Sequence, residues 1–221
     1  MYRKTVLSNG MRVISEEIAH VRSVSIGIWI ECGSRYEDSR TNGAAHFIEH
    51  MLFKGTERRS AFDIAAAIDS VGGVMNAFTS KELTSFYIKI PDYHLALAID
   101  LLADILKNSQ FEENEIGKEK SVVLQEISML EDSPDDYIHD FFEANFWQGD
   151  HLDLPVLGSG NRSKDFPGRC CSVFSEAATG AGMSYSPPPA TCSTSDLWKW
   201  CRRLSRVWKR AARRSPFRPL S

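Results

Sequence analysis

The 221-residue chain lacks any apolar run long enough to cross a bilayer. Its opening residues, Met1-Tyr2-Arg3-Lys4, lead straight into a strand-like segment, without the hydrophobic stretch and cleavage site of a secretory signal. These two absences point to a cytoplasmic protein. Cysteine is almost missing from residues 1–160, where Cys32 stands alone. The other four, Cys170, Cys171, Cys192 and Cys201, have neither metal-site nor secreted-framework spacing. That pattern predicts no disulfides and no cysteine-bound zinc. Strands and helices also fail to alternate regularly, which argues against a parallel βαβ sheet.

Charge is present but unevenly placed. The net of −3 combines two opposed regions. Residues 1–160 carry 14 Lys/Arg and 26 Asp/Glu, a net of −12, whereas residues 161–221 carry 12 and 3, a net of +9. The second region also holds six of the nine prolines, including Pro187-Pro188-Pro189, which ends any regular element there. The chain therefore divides at about residue 158 into a well-patterned region and an atypical basic one rich in Ser, Pro and Arg.

The stretch with the most chemistry is Gly43 to Gly55, which reads as a short helix with Thr41 or Asn42 as N-cap and Gly55 as a left-handed C-cap. It contains His46-Phe47-Ile48-Glu49-His50. Residues four apart share a helix face, so His46 and His50 can direct two ring nitrogens at one cation. Glu49 can reach a water there without being a ligand. This is the inverted form of the zinc-protease signature. The bland alternative is a buried helix whose two histidines are hydrogen-bonded by the glutamate. A catalytic zinc needs a third protein ligand and an open position. The best candidate is Glu126 on a helix predicted over Phe111–Leu130, because Val122, Val123, Met129 and Leu130 surround it. A carboxylate among apolar neighbours is costly unless something positive compensates it. Glu119 has similar surroundings seven residues earlier, on the same stripe. A partly wet face with solvated glutamates is the alternative. The other histidines, His20, His94, His139 and His151, have no ligand-like spacing.

Around the metal helix the pattern is mixed. Thr5–Leu7 and Met11–Ser15 predict a hairpin about Asn9-Gly10. Ser23–Glu31 alternates Val24, Ile26, Ile28 and Ile30 with less apolar positions, a half-buried strand. Ser60–Val71 reads as a helix with Phe62, Ile64, Ala65, Ile68 and Val71 supplying apolar contacts, stopped by Gly72-Gly73. Val74–Ser80 and Leu83–Ile90 read as strands, and Pro91 as the start of another helix. Together they predict an α+β fold.

These residues resemble the pitrilysin/insulinase family of inverzincin metallopeptidases, especially bacterial processing proteases and the mitochondrial processing peptidase β subunit. The resemblance runs from about Thr5 to Gly158. It is carried by Leu7-Ser8-Asn9-Gly10-Met11-Arg12-Val13, Gly33-Ser34-Arg35-Tyr36-Glu37, His46 to Thr56, Asn76-Ala77-Phe78-Thr79-Ser80-Lys81-Glu82 and Glu119 to Glu131. It implies a mainly antiparallel sheet packed with helices over residues 1–158, and one Zn²⁺ per chain held by His46, His50 and Glu126. It also implies Glu49 as general base, with Glu119 supporting the catalytic site. The strand bearing Asn76 and Ala77 would be a sheet edge where an extended peptide pairs. The plainer reading of Asn76 is a turn opener after Gly72-Gly73. Glu82 matches a family position too, and reads equally as a solvated loop carboxylate. The implied activity is zinc-dependent endopeptidase, acting on peptides or presequence-like extended segments.

The resemblance also implies a second peptidase-like domain or subunit, which this sequence does not recognisably contain. A silent fragment or partner subunit that binds zinc or peptide without turnover therefore remains open. Residues 159–221 admit three readings: an out-of-frame or degenerate end, a natural basic tail, or a disordered solvated one. In the second, Leu197, Cys201, Leu204, Trp208 and Ala211 share helical spacing, with arginines largely elsewhere. Such a helix could bind a membrane surface or nucleic acid, making the protein a basic-tail binding module.

Overall fold

The computed structural model describes residues 2–8 and 10–159, and the backbone of residues 182–185. The expected turn residue Asn9, the four cysteines after residue 160 and the amphipathic stretch 197–211 lie outside the described residues. Six strands form one sheet: β1 Tyr2–Val6, β2 Arg12–Glu16, β3 Ser23–Ile30, β4 Val74–Thr79, β5 Thr84–Pro91 and β6 Gly182–Tyr185. Their order is β1-β2-β6-β3-β5-β4. Every pairing is antiparallel except β2 with β6. Among the described residues five α-helices accompany them: α1 Ala44–Leu52, α2 Ala61–Asp69, α3 Leu95–Asn108, α4 Glu113–Glu131 and α5 Pro134–Phe146. The fold is α+β, with a mainly antiparallel sheet.

The core lies where alternate residues of the central strands meet the helices. Val24, Ile26, Ile28 and Ile30 of β3 and Phe86, Ile88 and Ile90 of β5 are all buried, following the strand period of two. Leu95, Ala98, Ile99, Leu102 and Ile105 of α3 and Ile64 and Ile68 of α2 belong to the same cluster. A second, smaller cluster joins α1 to α4 through Ala44, Phe47, Met51, Val123 and Ile127. Burial of side chains this size contributes roughly 1.5–3 kcal/mol each. That cluster sets how the two site-bearing helices lie together.

Several local expectations are corrected. Phe62 is 78% exposed and Ala65 is exposed too, so α2 uses only its Ile64–Ile68 side in the core. Ser60 caps that helix in a reciprocal box with Asp63. Pro91 closes β5 rather than opening a helix, and a single 3-10 turn at Asp92–His94 precedes α3. The helix α5 was absent from the sequence reading, although Ser133, Pro134, Asp135 and Asp136 form an N-terminal signal. The strand β6 falls in the basic region, where the only element the sequence suggested was a helix over 197–211. Among the described residues, no helix is long and apolar enough to cross a membrane.

A charged network ties the segment after α1 to α3. Asp104, 1% exposed, accepts from Thr56 at 2.9 Å, Arg59 at 2.6 Å, Arg58 at 3.1 Å and Asn108 at 2.7 Å. Burial by itself raises its pKa, but the four donors together outweigh it and take the carboxyl from 3.8 to about 2. A depressed folded pKa stabilises the fold above the unfolded value and is lost as pH falls through the folded one. Asp104→Asn is therefore expected to flatten the acid limb of stability between about pH 4 and pH 2. At neutral pH it should also lower stability, by roughly 1.5–3 kcal/mol, the scale of hydrogen bonds to a charged group. Urea unfolding across that pH range measures both effects.

Candidate metal centre

The metal helix begins and ends differently from its sequence signals. Neither Thr41 nor Asn42 caps α1; the N-cap is Gly43, in the left-handed region at φ 89°. A side chain from outside the helix supplies the missing acceptor. The Glu37 carboxylate takes the N–H groups of Gly43 and Ala45, both at 2.7 Å. Acidic groups at helix N-termini are favoured by these unpaired donors and by the macrodipole. Burial pushes the Glu37 pKa up, and the N–H groups of Ala45 and Gly43 and the Asn42 amide oppose that rise. Asn42 also donates to Pro155 O at 2.9 Å, and His151 Nδ1 to Glu37 O at 2.6 Å. A Cβ on Gly43 would lie 2.9 Å from Leu157 O and from Gly158 Cα. Residues 151–158 thus clamp the start of α1. At its other end the helix stops at Leu52 with Phe53 as C-cap, and Gly55, at φ 136°, lies beyond it.

His46 and His50 project from α1 toward α4. Their Nε2 atoms are 3.3 Å apart. Glu126 Oε2 lies 3.7 Å from His46 Nε2 and 3.5 Å from His50 Nε2. Donors about 2.0–2.2 Å from a tetrahedral zinc are separated by about 3.4 Å. The three measured edges match one face of such a tetrahedron, and two imidazoles with one carboxylate are a donor set zinc accepts. The residues present therefore fit the ion. The His46 pKa is pushed down to about 4, first by burial and then by His50, so the ring is neutral at pH 7. Its Nδ1 is buried and without a hydrogen-bond partner among the described residues. His50 Nδ1 meets Glu119 Oε2 at 3.0 Å. Donation from Nδ1 to that carboxylate leaves the Nε2 lone pair free to face the ion.

The two glutamates of α4, both expected among apolar neighbours, differ in burial. Glu119 is 4% exposed, while the Glu126 side chain is 37% exposed. The stripe against α1 is Glu119, Val123 and Ile127, four residues apart, and Val122 and Met129 face outward at 38% and 71% exposure. Glu126 sits beside this stripe, not at its centre. Counting three- and four-residue neighbours cannot say which side of a helix turns inward, and this helix has apolar residues on more than one side.

Glu49 is half-buried. Its pKa is raised chiefly by burial, against the lowering effect of a hydrogen bond from Thr79 and of His50. The Thr79 hydroxyl donates to Glu49 Oε2 from β4. Thr79 was not singled out from the sequence; its place after Asn76-Ala77-Phe78 was the only signal. Asn76 and Ala77 lie on β4, at one edge of the sheet. The Ala77 N–H is taken by the Asn76 side-chain oxygen at 2.8 Å, so it faces away from β5. Glu82 pairs with Arg35 instead of standing alone. His20, His94, His139 and His151 stay outside the metal cluster.

Residues 12–160 match the model of the insulinase family, peptidase family M16. The chain belongs to the insulinase (M16) family. It is 46% identical over 168 residues to YmxG of Bacillus subtilis, described as an uncharacterized zinc protease; the alignment covers 76% of this chain and 41% of that protein. It is 42% identical over 162 residues to a probable mitochondrial-processing peptidase subunit beta of Arabidopsis thaliana, covering 73% of this chain and 30% of that one. The chain thus spans less than half the length of these relatives. In fold it is similar to a crystal structure described as a peptidase M16 inactive domain from Pseudomonas fluorescens. The TM-score is 0.84 at 14% identity, over 100% of this chain and 53% of the other. Because an inactive domain shares the architecture, activity in this family has to be argued from side chains and not from shape.

The clamp on α1 can be measured. Glu37→Ala removes a buried charged acceptor from two N–H groups and should cost about 1.5–3 kcal/mol of stability. Amide exchange at Gly43 and Ala45 should accelerate more than exchange in α3.

Proposed function

We propose that this chain carries the zinc-binding part of a metalloendopeptidase that cleaves extended peptides. The observation carrying this reading is the triangle of His46, His50 and Glu126 donors at tetrahedral spacing, in a chain of the M16 family. These three residues would hold one Zn²⁺. In such a site zinc supplies Lewis acidity, polarising a scissile carbonyl and acidifying a water.

The protein's own groups do the rest. Glu49 takes the proton of the attacking water and returns it to the leaving amine. Burial beside the site raises its pKa, the direction that helps a carboxylate keep a proton it has accepted. Thr79 holds one carboxylate oxygen and so points the other. Glu119 fixes the orientation of the His50 ring. An extended substrate adds to the free side of β4, exchanging the Asn76–Ala77 side-chain bond for a backbone bond of its own. This pairing is tolerant of sequence, with selectivity left to neighbouring pockets. The remainder of the chamber would come from a second peptidase-like domain or subunit.

A second reading is a domain that binds zinc or peptide without turnover; the similar structure described as an inactive domain shows that this fold can exist without activity. Adding a partner domain distinguishes an incomplete enzyme, whose turnover rises, from a silent one. A membrane or nucleic-acid role for the basic tail rests on residues outside those described.

Two substitutions test the mechanism. Glu49→Gln should keep one zinc per chain by metal analysis and lose about 10²–10⁴-fold in peptide cleavage. His46→Ala should lose both metal and cleavage, as should treatment of the unmodified protein with a chelator. Cleavage that survives Glu49→Gln would remove the general-base role. Thr79→Val should lower kcat with zinc content unchanged, because it alters the aim of Glu49 and leaves the ligands alone.

A further inference from the structure

The carboxylate behind His50 has a second partner. Glu119 Oε1 lies 2.5 Å from Lys54 Nζ, while its other oxygen meets His50 Nδ1 at 3.0 Å. Both oxygens are therefore engaged, each by a group from the end of α1, and the Glu119 side chain is only 5% exposed. Lys54 is held in place by the backbone. Its N–H bonds to Met51 O at 3.1 Å in the turn that closes the helix. A cation there also complements the helix C-terminus. The lysine stem is largely covered, with the side chain 29% exposed.

We propose that Lys54 is a positioning residue for the metal centre, acting through Glu119 on His50. This rests on the zinc reading given above and extends it by one residue. A carboxylate with one partner can rotate about its side-chain torsions and loses direction. With Lys54 on Oε1, the plane and reach of Glu119 are fixed, and Oε2 is presented to the His50 N–H. The His50 ring is thereby held with Nε2 toward His46 and Glu126. Lys54 also compensates a charge placed in the apolar layer between α1 and α4, beside Val123. A buried carboxylate left without its cation is strongly unfavourable. Lys54 touches none of the three ligand atoms, so its effect has to travel through Glu119.

The test is zinc affinity of the full 221-residue chain, by competition with a chromophoric chelator, for unmodified protein, K54M, K54Q, K54R, E119Q and K54M/E119Q. K54M and K54Q should weaken zinc binding by roughly 10- to 100-fold, the usual loss for groups that orient a ligand from behind. K54Q keeps a polar end, so a folding defect peculiar to K54M does not decide the outcome. K54R should bind more tightly than K54M. The double variant should bind no more weakly than E119Q. Equal affinity of unmodified, K54M and K54Q proteins would overturn the assignment. So would K54R as weak as K54M, or a loss from K54M that persists undiminished in the E119Q background, the mark of a general structural effect. If the unmodified chain binds no zinc, the proposed function fails and this assignment falls with it. If it binds one zinc that H46A abolishes, only the Lys54 results bear on the assignment.

Discussion

The candidate metal centre depends on one packing contact, that of α4 across α1. His46 and His50 share a helix, but two imidazoles cannot make a catalytic zinc site. The carboxylate that completes the triangle is 76 residues further along than His50. It arrives only because Phe47 and Met51 pack with Val123 and Ile127. That contact places a carboxylate on each side of the same interface: Glu126 at its rim facing the imidazoles, Glu119 inside it behind His50. Four large apolar side chains, at roughly 1.5–3 kcal/mol each, are enough to hold an interface that also buries a charge. The charge itself is tolerable because Lys54 and His50 meet it from both sides.

The rest of the fold serves to keep α1 still. Its N-terminus has no cap of its own, and Glu37 and residues 151–158 supply one from elsewhere in the chain. A left-handed glycine permits the close approach of Gly158 at that point. Its C-terminal side leads into Thr56, Arg58 and Arg59, which are tied to Asp104 on α3. From the sheet, β4 contributes Thr79 to the carboxylate of Glu49. A helix that must aim two ring nitrogens within a few tenths of an ångström is thus restrained at both ends and along one side. Preorganisation of this kind is what a metal site needs, since ligands that must be ordered on binding weaken it.

The family's architecture and its chemistry are separable. The similar Pseudomonas fluorescens structure is described as an inactive domain, yet its TM-score with this chain is 0.84. The sheet and helices are therefore a scaffold, and the proposed hydrolysis rests on His46, Glu49, His50 and Glu126. The proposed set of metal ligands requires only α1 and α4. A peptide bond held out of water requires walls that these elements do not provide.

Much of this was legible before any coordinates. The strand alternation of Ser23–Ile30 and the four-residue spacing of His46 and His50 are local, and local periodicity is what sequence displays directly. The six-stranded order, and the insertion of β6 between β2 and β3, could not be read that way, because pairing partners lie far apart in the chain. The same limit explains why Glu126 was placed at the centre of an apolar face, and why Glu37, Lys54 and Thr79 were given no roles at the site. What the sequence by itself determined was which residues could bind a metal and which helices would carry them. Only the tertiary structure decided how deeply Glu119 and Glu126 are each buried against the imidazoles, because that depends on the rotation of one helix against another, a quantity set by packing and not by spacing.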